Sequence, residues 1–308
     1  MSDNPTYKVQ NRWLFHSNIK IKIPSFLDNR LFDDFYGELE SVNKLYNSYE
    51  EGSYFDKINK NTGTFINVDE RTVWMLEKVK YFSGFFNGEY DITIMPLLRL
   101  WQFYNQGNKR LPTLSELEDA GKLVNIDKIE IQENKVRIGQ GQELITASFL
   151  KAYAVDGLLR KMRNTGITDA IVNAGGSTIG MLNDLTHPFW RIRVQHPDNE
   201  EGTLFMLKVA NMSFSTSAQS KTFVEIGGKI YGHIISPLTG YPSANKQVGI
   251  LTEDCMTGDI VSTGAFNLSP DKFIDTVNSL SRYFYISGFL MDDTGEITFA
   301  GDFEKYII

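Results

Sequence analysis

Ala170-Ile171-Val172-Asn173-Ala174-Gly175-Gly176-Ser177 is an apolar run that stops at two consecutive glycines. A short apolar run bounded by a turn signal reads as a buried strand, and the glycine pair marks where the backbone leaves it. Glycines at a strand end let backbone N–H groups approach a phosphate or a ring without a Cβ in the way. They do not have the Gly-x-Gly-x-x-Gly spacing of a dinucleotide-binding crossover. A glycine bulge is the plainer explanation of the pair.

Upstream, residues 146–163 read as a helix closed by Asn164-Thr165-Gly166. Downstream, strands are expected over 190–194, 204–209, 223–226 and 229–234, with Gly227-Gly228 turning the last two into a hairpin. Residues 257–267 and 271–280 read as helices, and 283–291 with 297–300 as a closing hairpin. Toward the N-terminus, residues 19–23 alternate Ile and Lys as a half-buried strand does. Helical spacing follows over 31–49 (Leu31, Phe35, Leu39, Val42, Leu45, Tyr46) and 70–82 (Val73, Met75, Leu76, Val79). A short helix within 111–127 and strands over 129–138 complete the pattern. Strands and helices mix without a βαβ repeat, so the expected class is α+β, a mostly antiparallel sheet with flanking helices. Residues 1–18 are set apart as an N-terminal extension and 19–308 as a single domain.

Composition narrows the function. A net charge of −7 with no dense Lys/Arg run argues against a nucleic-acid binder. Cys255 is the single cysteine, so no internal disulfide and no thiolate cluster for zinc or iron–sulfur can form. No apolar run approaches the roughly 20 residues that span a bilayer, and Met1-Ser2-Asp3-Asn4-Pro5 has no basic or apolar leader character. A cytoplasmic setting without membrane partners is expected. The 21 Phe and 14 Tyr suit a planar ligand, and suit a large core better.

Two further segments carry chemistry. His233 lies in Tyr231-Gly232-His233-Ile234-Ile235-Ser236-Pro237-Leu238-Thr239-Gly240, an apolar strand followed by a Pro/Gly turn. It is either a structural histidine or an imidazole beside a ligand. Asp259 and Thr263 stand four apart, on one helical face, and a carboxylate, a hydroxyl and phosphate oxygens suit Mg²⁺. An early-helix acid favoured by the dipole is the alternative reading of Asp259.

Taken in order, these segments resemble the FAD:protein FMN transferases of the ApbE family. Leu45-Tyr46-Asn47-Ser48-Tyr49 with Phe55-Asp56-Lys57-Ile58-Asn59 is similar to its early flavin-side loop. The run from Gly88 to Leu97, with Leu100-Trp101-Gln102-Phe103, resembles its Phe-Asp-Pro-Thr…Leu-Trp-Gly-Phe segment, and Lys151-Ala152-Tyr153-Ala154-Val155-Asp156 its Lys-Gly-Tyr-Ala-Val-Asp helix. Trp190 to Pro197, His233-Ile234-Ile235 with Thr239-Gly240-Tyr241-Pro242, and Asp259 with Thr263 match the later motifs.

The resemblance implies an ApbE-like (T-fold-like) single domain. It implies Mg²⁺ held by Asp259, Thr263 and a backbone carbonyl near Leu150, with FAD as substrate. FMN would pass to a Thr or Ser hydroxyl of an acceptor flavoprotein, with release of AMP. His233 and Asp259 would be catalytic. Tyr49, Asp91, Lys151, Gly175, Gly176, Thr216, Ser217 and His233 would contact the dinucleotide.

Several positions depart from the pattern. Ile145-Thr146-Ala147-Ser148 replaces Asp-Leu-Gly-Gly, Leu150 and Ala152 replace the residues flanking the lysine, and Ser177 and Ser236 replace acids. His16-Ser17-Asn18 replaces Met-Gly-Thr. These changes leave a magnesium-dependent FAD pyrophosphatase and a non-catalytic flavin-binding protein as the alternatives.

Overall fold

The computed structural model describes residues 6–103, 109–219 and 222–308. Its frame is an antiparallel sheet of eight strands. They are β1 (Tyr7–Leu14), β2 (Ser17–Pro24), β6 (Ala170–Ala174), β7 (Thr178–Leu182), β10 (Ser213–Ala218), β13 (Gln247–Thr252), β14 (Ile286–Met291) and β15 (Ile297–Ala300), adjacent in that order. The expected antiparallel α+β architecture is what forms.

The two faces of this sheet bury different partners. Ile19, Ile21 and Ile23 of β2, Val172 of β6, Val248 and Ile250 of β13 and Leu290 of β14 join one core. There they meet α1 (Arg30–Tyr46), α3 (Glu70–Ser83), α6 (Leu150–Asn164), α7 (Cys255–Ala265) and α8 (Pro270–Leu280). The other face carries Ile179, Phe214, Leu251 and Phe289 against a hairpin of β8 (Trp190–His196) and β9 (Asn199–Val209). Because both faces are covered, β7, β13 and β14 are buried at every residue. Such strands show no alternation in the sequence.

Small elements sit around this frame. β3 (Ile66–Asn67), β4 (Glu130–Gln132) and β5 (Lys135–Arg137) form a small sheet. β11 (Phe223–Ile226) and β12 (Lys229–Gly232) form the expected hairpin, in which Gly227 and Gly228 both take positive φ (+61° and +77°), as a tight two-residue turn requires. α2 (Tyr54–Lys60), α4 (Met95–Trp101) and α5 (Leu114–Gly121) are short. No helix among the described residues is long and apolar enough to cross a membrane.

Several elements differ from their expected bounds. Residues 7–14, within the expected N-terminal extension, pair along their whole length with β2 as an edge strand. The helix expected from residue 146 starts at Leu150, because Thr146 is held by Ser48: Ser48 N donates to Thr146 Oγ1 (3.1 Å) and Thr146 N to Ser48 Oγ (3.3 Å). α1 buries Phe35, Leu39, Val42 and Tyr46 as expected, adds Phe32 and Tyr36 to that face, and leaves Leu45 exposed. It ends at Tyr46, since Asn47 is extended.

Close contact between β7 and the helices depends on Gly180. A Cβ there would lie 2.5 Å from Leu159 Cδ1, 2.9 Å from Cys255 Sγ and 3.0 Å from Val155 Cγ1. Gly180→Ala is therefore expected to destabilise the fold by about 1–3 kcal/mol through overpacking. Urea denaturation measures this, and an unchanged midpoint would contradict the packing described.

Candidate active site

α7 is buried over almost its whole length, so the N–H groups of its first turn need partners inside the protein. Asp156, from α6, accepts from Cys255 N (2.7 Å) and Met256 N (2.9 Å). Asp254, the N-cap, accepts from Thr257 N (2.9 Å) and Thr257 Oγ1 (2.8 Å), and pairs with Lys78 Nζ (2.8 Å). Burial, then repulsion by Asp254, pushes the Asp156 carboxyl up. Burial also opposes ionisation of Asp254, but Lys78 holds it below its ordinary range. The clamp fixes where Asp259 and Thr263 come to lie, one and two turns further on.

Gly258 lets α7 come close to the sheet, since a Cβ there would meet Ser215 Oγ at 2.6 Å and Thr252 Oγ1 at 2.8 Å. Asp259 is then 7% exposed, and Thr178 Oγ1 lies 2.8 Å from both of its carboxylate oxygens. Burial pushes its carboxyl up, while Lys151, Ser215 and Thr178 pull the other way. Thr263 Oγ1 donates to the Asp259 carbonyl (2.8 Å), which leaves its lone pairs for another partner.

The glycine turn between β6 and β7 differs from its expected use. Gly175 and Gly176 have φ of +70° and +79°, and a Cβ on Gly175 would lie 1.8 Å from Ser17 Oγ. Their N–H groups, however, donate to Asn18 O (3.0 Å) and Asn173 Oδ1 (2.8 Å). The pair gives close approach of the chain rather than N–H donors. Beside it, Lys151 Nζ donates to Ser177 Oγ.

His233 sits just past β12 rather than within a strand. Its backbone N and its Nδ1 both lie 3.1 Å from Thr222 O. A carbonyl can only accept, so Nδ1 carries the hydrogen and Nε2 keeps a lone pair. Burial lowers the imidazole pKa, so the ring stays neutral around pH 7.

These groups surround a cavity of about 580 Å³ at the sheet end where β6 and β10 stop and β7 and β13 begin. Asp91, Lys151, Gly175, Gly176, Thr216, Ser217, His233, Asp259 and Thr263 all line it. Tyr49 and Leu150 do not; they line an adjoining recess of about 60 Å³ that shares His16, Ala147 and Lys151 with the cavity. Asp91 spends its carboxylate on Thr93 N and Oγ1 (both 2.7 Å) and Ile126 N (2.8 Å), so it holds its own loop. Thr216 and Ser217 lie on opposite faces: Ser217 Oγ is 3.1 Å from Ser262 Oγ of α7, whereas Thr216 shares the hairpin side with Phe214. Sequence reasoning missed Glu89, Arg193, Gln195, Gln247 and Asn267, which also line the cavity. Among the described residues no three His, Cys, Asp or Glu cluster as a metal site.

A model of the ApbE family matches residues 15–285. The chain belongs to the ApbE family. The FAD:protein FMN transferase of Haemophilus influenzae is 26% identical over 262 residues, covering 80% of this chain and 76% of that protein. The one from Vibrio cholerae is 26% identical over 264 residues, covering 83% and 79%. Among solved structures, the ApbE protein of Thermotoga maritima superposes with a TM-score of 0.88 at 22% identity, over 98% of this chain and 99% of that one. The flavin transferase ApbE from Vibrio cholerae gives 0.84 at 21%, over the same shares. The likeness of fold spans nearly the full length of each chain compared.

Two departures from the ApbE pattern now have a local account. Ser236, in place of an acid, donates its Oγ to Glu89 Oε2 (2.6 Å), so a carboxylate reaches the turn from another segment. Ser177, in place of an acid, leaves Lys151 bonded to a neutral hydroxyl.

The α7 clamp predicts a pH signature. Asp156 is raised, so the folded state holds its proton to higher pH than the unfolded chain does. Its stabilising share is complete in acid and is lost as pH rises through the raised value. Asp156→Asn keeps an acceptor and removes the charge, so stability curves from acid to neutral pH are expected to flatten relative to the parent. Identical slopes for the two proteins would contradict the assignment.

Proposed function

We propose that this protein transfers FMN from FAD to a Ser or Thr hydroxyl of an acceptor protein and releases AMP. The observation that carries this is the single cavity that brings a buried carboxylate, Asp259, with Thr263 together with the neutral imidazole of His233. The relatives' shared name, FAD:protein FMN transferase, supports the substrate pair. A cavity of this size also suits a dinucleotide.

Asp259 and Thr263 fit a hard divalent cation. Burial disfavours the ionised carboxyl of Asp259, and a cation beside it would offset that cost. One carboxylate and one hydroxyl leave most of an octahedral shell to water and phosphate oxygens, the habit of Mg²⁺. When bound, Mg²⁺ would neutralise charge on the diphosphate. Leu150 remains a candidate carbonyl ligand, from the neighbouring recess.

The chain's own groups account for the rest. His233 Nε2 takes the proton of the acceptor hydroxyl as its oxygen bonds to the FMN-side phosphorus. The bond from that phosphorus to the bridging oxygen breaks, and the oxygen leaves with AMP. The Lys151 ammonium, on the cavity wall, balances phosphate charge. The turn at Gly175 and Gly176 lines the cavity, and the missing Cβ of Gly175 lets Ser17 close in beside it.

Incubation with FAD, Mg²⁺ and a candidate acceptor tests the reading. AMP and covalently bound flavin should appear together, and both should depend on acceptor. AMP released equally without acceptor would make the protein a pyrophosphatase instead. His233→Ala is expected to lower turnover by roughly 100-fold or more, the range of a lost general base. FAD affinity should change little. In the parent, turnover should persist below the ordinary imidazole range and fall as pH drops through the lowered His233 value, since protonation removes the base. An acid limb unchanged by the His233 substitution would contradict this role.

A further inference from the structure

Three buried side-chain oxygens have no hydrogen-bond partner among the described residues: Gln247 Oε1, Asn267 Oδ1 and Ser287 Oγ. Buried polar atoms are almost always paired, so an orphan asks for an explanation. Two of the three, on Gln247 and Asn267, belong to residues that line the cavity. Gln247 is the more informative because it is 3% exposed and begins β13 inside the sheet.

The orientation of its amide follows from its neighbour. Thr216 Oγ1 donates to Val248 O (2.9 Å), so it can only accept from Gln247, and the Gln247 Nε2 lies 3.2 Å away. The amide oxygen is therefore the orphan, and a flipped amide would place two acceptors against each other. Gln247 pairs with Ala218 and, two residues on, Gly249 pairs with Thr216. That register puts Gln247 on the hairpin side of the sheet, with Ile179, Phe214 and Val194 as the apolar cavity wall. Asp259 and Thr263 stand on the other side, with α7. An apolar wall that carries one unpaired acceptor fits a flat heterocycle presenting an N–H edge.

We propose that Gln247 is a specificity-determining residue whose Oε1 accepts a hydrogen bond from a ring-edge N–H of the bound dinucleotide. This rests on the FAD reading above. Two groups of FAD have the required chemistry, the exocyclic amino group of adenine and the imide N–H of the isoalloxazine. Either lies away from the phosphorus where His233 acts, so Gln247 governs affinity and selection rather than proton transfer.

Calorimetric titrations of the full chain with FAD, AMP and FMN, with Mg²⁺ present, test this. Gln247→Met removes the acceptor at similar size. FAD affinity is expected to fall roughly tenfold, about the worth of one hydrogen bond in a buried site. The same loss should appear with AMP or with FMN but not both, and that result names the ring. In the parent, a ligand lacking the donor (purine ribotide in place of AMP, or N3-methyl-FMN in place of FMN) should show the same loss without any mutation. Equal FAD affinity for parent and Gln247→Met, or equal losses for AMP and FMN, would overturn the assignment. Failure of the parent to bind FAD at all would instead sink the proposed function.

Discussion

The first turn of α7 is buried, and its amide hydrogens cannot be left to water. Asp156 and Asp254 take up the N–H groups of Cys255, Met256 and Thr257, and Lys78 balances Asp254 from α3. Two carboxylates at one helix start suit the positive end of its dipole, but they repel each other and lose water. The reward is positional. With the start of α7 clamped to α6, and Gly258 allowing close approach to β10 and β13, Asp259 is carried to Thr178 and Thr263 follows one turn later. A looser helix would let a buried carboxylate find water, and the cavity would lose its fixed negative wall.

The cavity draws on both sides of one sheet. α7 supplies the acid and hydroxyls, the β8–β9 hairpin with Ile179 and Phe214 supplies an apolar wall, and the turn after β12 supplies His233. An extended ligand with a charged middle and flat ends matches that division. Thr216 and Ser217, adjacent in sequence, are turned to opposite sides by the pleat and so serve different parts of it. Where acids usual in the ApbE pattern are replaced, the neighbourhood has adjusted: Glu89 reaches Ser236, and Lys151 bonds Ser177.

Much of the architecture could be read from local patterns. The β6 run with its glycine pair, the Gly227-Gly228 hairpin and the helical face of α3 need only nearby residues to declare themselves. β10 could not be read, because Ser213-Phe214-Ser215-Thr216-Ser217-Ala218 owes its strand to β7 and β13 on either side. β1 was hidden for the opposite reason: an edge strand with half-exposed residues has too little apolar alternation to stand out. In the site, the spacing of Asp259 and Thr263 was legible because one helix carries both. Gln247 was not, since its significance lies in a hydroxyl thirty-one residues away whose proton is already committed. The separation of Tyr49 and Leu150 into their own recess likewise depends on how α6 begins, which Ser48 decides through Thr146.

The account turns on Asp259 as a buried carboxylate prepared for a cation that the dinucleotide shares. The most direct measurement is the FAD dissociation constant across a Mg²⁺ titration, for the parent and for Asp259→Asn. Linkage requires that if the metal tightens FAD, FAD tightens the metal equally. The account predicts that Mg²⁺ strengthens FAD binding in the parent and that Asp259→Asn abolishes the coupling. FAD affinity independent of Mg²⁺ in the parent, or coupling that survives in Asp259→Asn, would contradict it.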